Sequence, residues 1–203
     1  MALQKSKPTS ADNGPVEDGL YPARCVRIIE IGDQEDKYGV KSRVVFGFIV
    51  PSLKIEIDGE EKSRMFMTFP QNNTDNPDST VAGYIKALGG SMEDPVKAWE
   101  TVIDKPCTIE LSTVTKKGVD HTNITNVVRP MAGVTVPEAD CDVFIFDFEN
   151  PEKEVLDKLS EYRIGQIKDA VNYPGSKVEA MLDGGSSASQ NEQPSYESDD
   201  SPI

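Results

Sequence analysis

Residues 40–50, Val-Lys-Ser-Arg-Val-Val-Phe-Gly-Phe-Ile-Val, constrain the fold more than any other stretch of the chain. Side chains alternate along a strand, so Val44, Phe46, Phe48 and Val50 share one face while Arg43, Val45, Gly47 and Ile49 share the other. Apolar groups on both faces predict a central strand. Residues 20–31 and 64–69 are also β-branched or aromatic runs, divided from it by the acidic, Gly-containing stretches 32–39 and 58–61. Three successive strands follow. In the first, Tyr21, Ala23 and Cys25 alternate cleanly, but the apolar register becomes ambiguous at Ile28 and Ile29, where a bulge is expected.

A polar loop at 70–78 leads to residues 79–88, where Val81, Tyr84, Ile85 and Leu88 recur at helical spacing and Gly89-Gly90 ends the pattern. A short second helix is predicted over 94–102, with Asp94 as cap, Pro95 in first position and Trp99 facing inward. Strands return at 106–115 and 121–129, joined by a Lys116-Lys117-Gly118 hairpin tip. Three strands, a helical insertion between strands 3 and 4, and a closing hairpin make the order of a mostly β, five-stranded OB-fold-like Greek-key barrel. A six-stranded barrel or small sandwich would give much the same pattern. Further on, Phe144, Phe146 and Phe148 share a face of a short strand-like run. It precedes a helix capped by Asn150, opened by Pro151 and lined by Val155, Leu159 and Tyr162. A weaker continuation past Gly165 carries Ile164, Ile167 and Val171.

Charge divides the chain. Residues 1–134 hold 16 Lys and Arg against 19 Asp and Glu, whereas residues 135–203 hold 5 against 16, within a net charge of −14. The expected organisation is a flexible lead-in at 1–18 and an OB-fold domain at 19–134. A docked acidic extension at 135–182 and a disordered acidic tail at 183–203 complete it. Cys25, Cys107 and Cys141 are odd in number and widely spaced, which suggests neither a disulfide framework nor a zinc site. With no long apolar run, a soluble cytoplasmic protein is expected, not a membrane one. His121 is the only histidine, and neither a nucleophile motif nor a Gly-rich phosphate loop occurs, so no enzyme, cofactor or metal is expected.

Single-stranded nucleic acid is held by cations that track phosphates and by aromatic faces on which bases stack. Arg24 and Arg27 on strand 1, Lys37, Tyr38, Lys41 and Arg43 at the start of strand 2, Lys62, Arg64 and Phe66 on strand 3, and Lys116 and Lys117 on the last hairpin are the candidates. Tyr38, beside Gly39 in a polar loop, is a stacking candidate as much as a plain loop residue, and Phe66 fits either platform or core. Phe46, Phe48 and Phe69 are expected in the core, and Trp99 in packing. Each cation alone reads as a solvated charge; the grouping is what points to a DNA face.

With its elements placed, the chain resembles the phage-encoded OB-fold single-stranded-DNA-binding proteins of viral replication and recombination. The stretches that carry the resemblance are Gly-Leu-Tyr-Pro-Ala-Arg-Cys-Val-Arg at 19–27, Lys-Pro-Cys-Thr-Ile at 105–109 and Thr-Asn-Ile-Thr-Asn-Val at 122–127. Asn150-Pro151 and Asn-Tyr-Pro-Gly-Ser at 172–176 complete them. The ending Glu-Ser-Asp-Asp-Ser-Pro-Ile at 197–203 is similar to the acidic tails with which such binders recruit replication and repair partners, though it lacks their terminal Phe. The resemblance implies a sequence-tolerant single-strand binder whose Asp199, Asp200, Pro202 and Ile203 engage replication or recombination proteins, or regulate DNA access. Homo-oligomer formation stays open. An OB-like interaction module of a replisome or virion without DNA binding is the alternative, and an acidic DNA mimic a third.

Overall fold

The computed structural model describes residues 16–57, 59–94 and 97–184. Among the described residues one seven-stranded sheet runs in the order β3 (Glu60–Met67), β2 (Gly39–Ile57), β1 (Gly19–Asp36), β5 (Pro106–Lys116), β6 (Val119–Val128). The two-residue β4 (Gln71–Asn72) adds to β2, and β7 (Phe144–Phe146) adds to β1 in parallel; the other pairings are antiparallel. The helices are α1 (Thr80–Ala87), α2 (Ala98–Val102), α3 (Lys153–Leu156), α4 (Glu161–Lys168) and α5 (Lys177–Leu182). The sheet curls into a half-barrel with its helical insertion ahead of β5, the mostly β, OB-like architecture that the order of elements predicts.

The curl follows from strand length. β1 and β2 run 18 and 19 residues, against about 5–6 for an ordinary strand, and strands that long bend. Bulges supply the bends. The pairing of β1 with β2 slips between Cys25 and Arg27 and again between Glu30 and Asp33. Two bulges therefore flank Ile28-Ile29, where the sequence suggested one at those residues. The first resets the alternation: Cys25 and Ile28 both point into the barrel, and Ile29 falls on the other face. At the second, Gly32 has φ +73°, and a Cβ there would meet Ala170, Asn172 and Phe148 at 2.8 Å.

Both faces of β1 and β2 are covered, as the double-sided run at 40–50 requires. Inside, Phe46 meets Tyr84 of α1 edge-on at 5.4 Å between ring centroids and Trp99 of α2 at 5.7 Å. Outside, Ile29, Ile31 and Val45 lie under Phe144, Phe146 and Phe148, with Leu156, Ile167, Tyr173 and Val178 behind them. The aromatic run thus packs on the barrel, with its three Phe on one buried face. Glu30 joins the layers: its Oε1 accepts from Trp99 Nε1 at 2.9 Å and Asn73 Nδ2 at 3.2 Å, and its Oε2 from the Phe148 N–H at 3.3 Å.

Several boundaries differ from expectation. Order reaches Val16, ahead of Leu20: Val16 is buried, its N–H donates to Thr122 Oγ1, and Asp18 accepts from the Thr113 N–H. α2 begins at Ala98 after Lys97, three residues later than predicted, and Pro95 lies outside the described residues. Asn150 caps nothing; its N–H donates to Asp147 Oδ1, and Glu152 stands at the head of α3. The single helix expected through Tyr162 ends at Leu156, and a second, α4, starts after Ser160, whose Oγ accepts from the Arg163 N–H. Tyr162 and Val171 consequently face outward. Asp183 is tied down, accepting from Lys168 Nζ at 2.8 Å and Tyr173 OH at 2.6 Å. No helix among the described residues is long and apolar enough to cross a membrane.

Candidate nucleic-acid interface

The β1–β2 hairpin turns at residues 36–39, and Asp36 shapes the turn. Its Oδ1 accepts from the Tyr38 N–H at 2.7 Å while its Oδ2 pairs with the Arg43 guanidinium across the hairpin. This Asx arrangement throws the Tyr38 ring outward, 72 % exposed. Lys37 Nζ stands 4.7 Å and Lys41 Nζ 5.5 Å from the ring centroid, within the ~6 Å over which a cation is attracted to a ring face. Beside the tip opens a hollow of about 640 Å³. Lys41 and Arg43 form one wall, Gln71, Asn72 and Asn73 the other, and Ser79 at the head of α1 closes it. Pairing of β4 with β2, Arg43 opposite Asn72, brings the amide wall into place. Exposed ring, ammonium groups and amides together suit bases and phosphates with no fixed sequence.

The remaining candidates divide. Lys116 and Lys117 sit on the β5–β6 tip, and Lys117 has φ +52°. Because Gly19 pairs with Leu111 and Arg24 with Pro106, that tip projects past the amino end of β1, opposite the end that carries Tyr38. The two tips border the face from either side. Arg24 has a structural duty: its guanidinium donates to the carbonyls of Pro137, Val136 and Asp104 and pairs with the Asp104 carboxylate at 3.2 Å. It pins the segment that leads from β6 to β7. Lys62 pairs with Glu60 at 3.1 Å. Phe66, only 7 % exposed, is a core residue, and Arg64 lies 5.0 Å over its ring. Arg27 faces outward, 5.1 Å over Phe144, with a buried Nε that has no hydrogen-bond partner.

Other side chains at this surface escaped the sequence. Phe69, expected in the core, is 60 % exposed. The Thr68 N–H donates to the Phe46 carbonyl at 2.9 Å and its Oγ1 accepts from the Phe46 N–H at 3.0 Å, which turns the next residue outward. Tyr162 and Arg163 reach the outer face through the break before α4, and Met65 and Met67 line β3 beside them. A Ser ahead of an Arg four-residue turn was the one signal for that break. Asp140 secures the crossing segment, accepting from the Ser63 N–H at 2.9 Å and Ser63 Oγ at 2.7 Å, 3.5 Å from Lys54 Nζ. Burial alone would raise its pKa, but the Ser63 hydrogen bonds and Lys54 outweigh that and hold it below the usual carboxylate value.

Among the described residues no three His, Cys, Asp or Glu are grouped so as to hold a metal ion. Asp199, Asp200, Pro202 and Ile203 lie outside the described residues. No protein-family model matches the chain, and no curated protein matches it.

Proposed function

We propose that the protein is a non-catalytic, sequence-tolerant single-stranded-DNA-binding protein, serving phage replication or recombination as its resemblance implies. The observation that carries the reading is Tyr38: an exposed ring at a hairpin tip, flanked by two ammonium groups, one of which, Lys41, also lines a hollow with Arg43, side-chain amides and a single carboxylate, Asp78. A base stacks on the ring while the backbone runs past Lys37, Lys41 and the hollow. The acidic ending at 197–203 then recruits replication or recombination proteins or regulates access to DNA. A second reading, a protein-interaction module, draws on the internal pairing of Arg24, Arg43 and Lys62 with Asp104, Asp36 and Glu60. Fluorescence anisotropy with labelled dT oligomers and with duplex, across salt, tests the first. Micromolar or tighter single-strand preference with a salt slope supports it, and no binding sinks it.

A further inference from the structure

Between the outward face of the sheet and the α3–α4 turn lies a hollow of about 280 Å³, lined by Arg27, Met65, Met67, Leu159, Tyr162 and Arg163 among others. Among the described residues no carboxylate lines it. In a chain of net charge −14 that is unusual, and the two guanidinium groups sharpen it. Neither Arg27 nor Arg163 forms an ion pair among the described residues, although Arg24, Arg43, Lys54 and Lys62 all do. Arg27 keeps a buried, unpartnered Nε. Arg163 is partly desolvated, which pulls its pKa down, and its recorded side-chain partner is the neutral Gln166 amide. Removing a guanidinium from water without a counter-charge is costly unless an anion completes the site.

Geometry narrows the anion. Each guanidinium is laid on a ring, Arg27 at 5.1 Å from Phe144 and Arg163 at 5.2 Å from Tyr162. A guanidinium over a ring still carries terminal N–H groups, and these suit a two-oxygen anion such as a phosphodiester. The floor is formed by Met65 and Met67, polarisable side chains that adapt to flat apolar surfaces. Tyr162, 68 % exposed, stands at the rim. Through Arg27 and Met65 the hollow continues into a wider one of about 770 Å³ that holds Asp140 and Asp142, so the anion belongs in the carboxylate-free part.

We infer that this hollow is a nucleotide subsite in which Arg27 and Arg163 clasp one phosphodiester of single-stranded DNA while its base rests on the methionine floor against Tyr162. The inference rests on the single-strand-binding reading and extends the DNA path from the β1–β2 tip onto the carboxyl-terminal extension.

The test is anisotropy with labelled dT oligomers on full-length protein and on Arg163→Gln and Tyr162→Ala; Tyr162 is exposed on α4, and Arg163→Gln, which changes a half-buried side chain, is compared with wild type by urea midpoint before it is read. A third variant, Arg27→Gln, is checked for folding first because it removes the stack on Phe144. A charge-assisted hydrogen bond lost to a backbone phosphate lowers affinity roughly 10-fold, and one phosphate contact fewer flattens the logarithmic salt slope by about 0.7. Both changes are expected in Arg163→Gln, and weaker binding with an unchanged slope in Tyr162→Ala. If wild type binds and Arg163→Gln keeps its affinity and slope, the subsite is wrong while the single-strand reading stands. If wild type does not bind, that reading fails and takes the subsite with it. Tighter DNA binding by Arg163→Gln would assign the hollow to the chain's own acidic ending and overturn the proposal.

Discussion

Tyr38 owes its position to Asp36, which closes the turn through the Tyr38 N–H and leaves the ring without a packing partner in the core. Removing the ring therefore costs the fold little, and on the proposed reading its cost falls on DNA binding. Stacking on an aromatic face contributes about 1–3 kcal/mol per base, so Tyr38→Ala should weaken dT-oligomer binding roughly 10-fold at unchanged urea midpoint. A full-affinity Tyr38→Ala protein would remove the tip from the interface. The cysteines make an opposite case at the same scale. Cys25 and Cys107 are buried on neighbouring strands, and Cys141 is partly exposed. Burial raises the pKa of all three thiols, that of Cys107 to about 12. In native protein, Ellman's reagent should find Cys141 alone, and all three thiols in denaturant. The pH sign follows from the same shift. Unfolded thiols ionise near 9.0 while folded Cys107 keeps its proton to about 12. The stability gained from neutral buried thiols is thus complete below pH 9 and is lost as pH climbs toward 12. A urea midpoint flat across that window would contradict the burial.

The pairing of β7 with β1 gives the half-barrel a second core, because Arg27, Ile28 and Ile29 are matched with Phe144, Ile145 and Phe146, which sets Phe144 and Phe146 over Ile29 on the outward face. Phe146 is fully buried there. Phe146→Ala should cost about 3–5 kcal/mol, read as a lower urea midpoint for the whole molecule in one transition; loss of the extension alone, with an intact barrel transition, would show that the two cores fold separately. The elements themselves were legible wherever alternation or helical spacing was strong, as at 40–50 and 79–88. Tyr162 was misplaced because Val155, Leu159 and Tyr162 keep helical spacing straight through a chain that Ser160 breaks by capping Arg163. The site was legible by residue type at Lys37, Tyr38, Lys41 and Arg43, which are close in sequence. Arg24 was not: a carbonyl partner at Pro137 lies 113 residues away, and no local pattern announces a cation recruited to hold backbone. Arg163 and Met65 were invisible for the same reason, since only the docking of α4 against β1, the strand next but one to β3, brings them to one hollow.

Across the whole molecule, the acidic third divides at residue 184. Residues up to 184 cover the sheet with apolar side chains and pair some of their charges locally, as where Lys153 meets Asp157 at 2.6 Å and Lys168 meets Asp183 at 2.8 Å. Residues 185–203 carry Glu192, Glu197, Asp199 and Asp200 and no Lys or Arg. If those charges compete with phosphates for the cations around Tyr38 and Arg163, deleting 185–203 should tighten dT-oligomer binding at low salt. Cutting after Gly184 keeps the Asp183 bonds to Lys168 and Tyr173, so thermal stability should hold and any change in affinity reports on charge. Screening sets the rest of the outcome: the Debye length falls from about 30 Å at 0.01 M salt to about 10 Å at 0.1 M. The gain should therefore shrink as salt rises and vanish near physiological ionic strength. Equal affinity of the full and shortened chains at every salt concentration would leave the ending with recruitment alone.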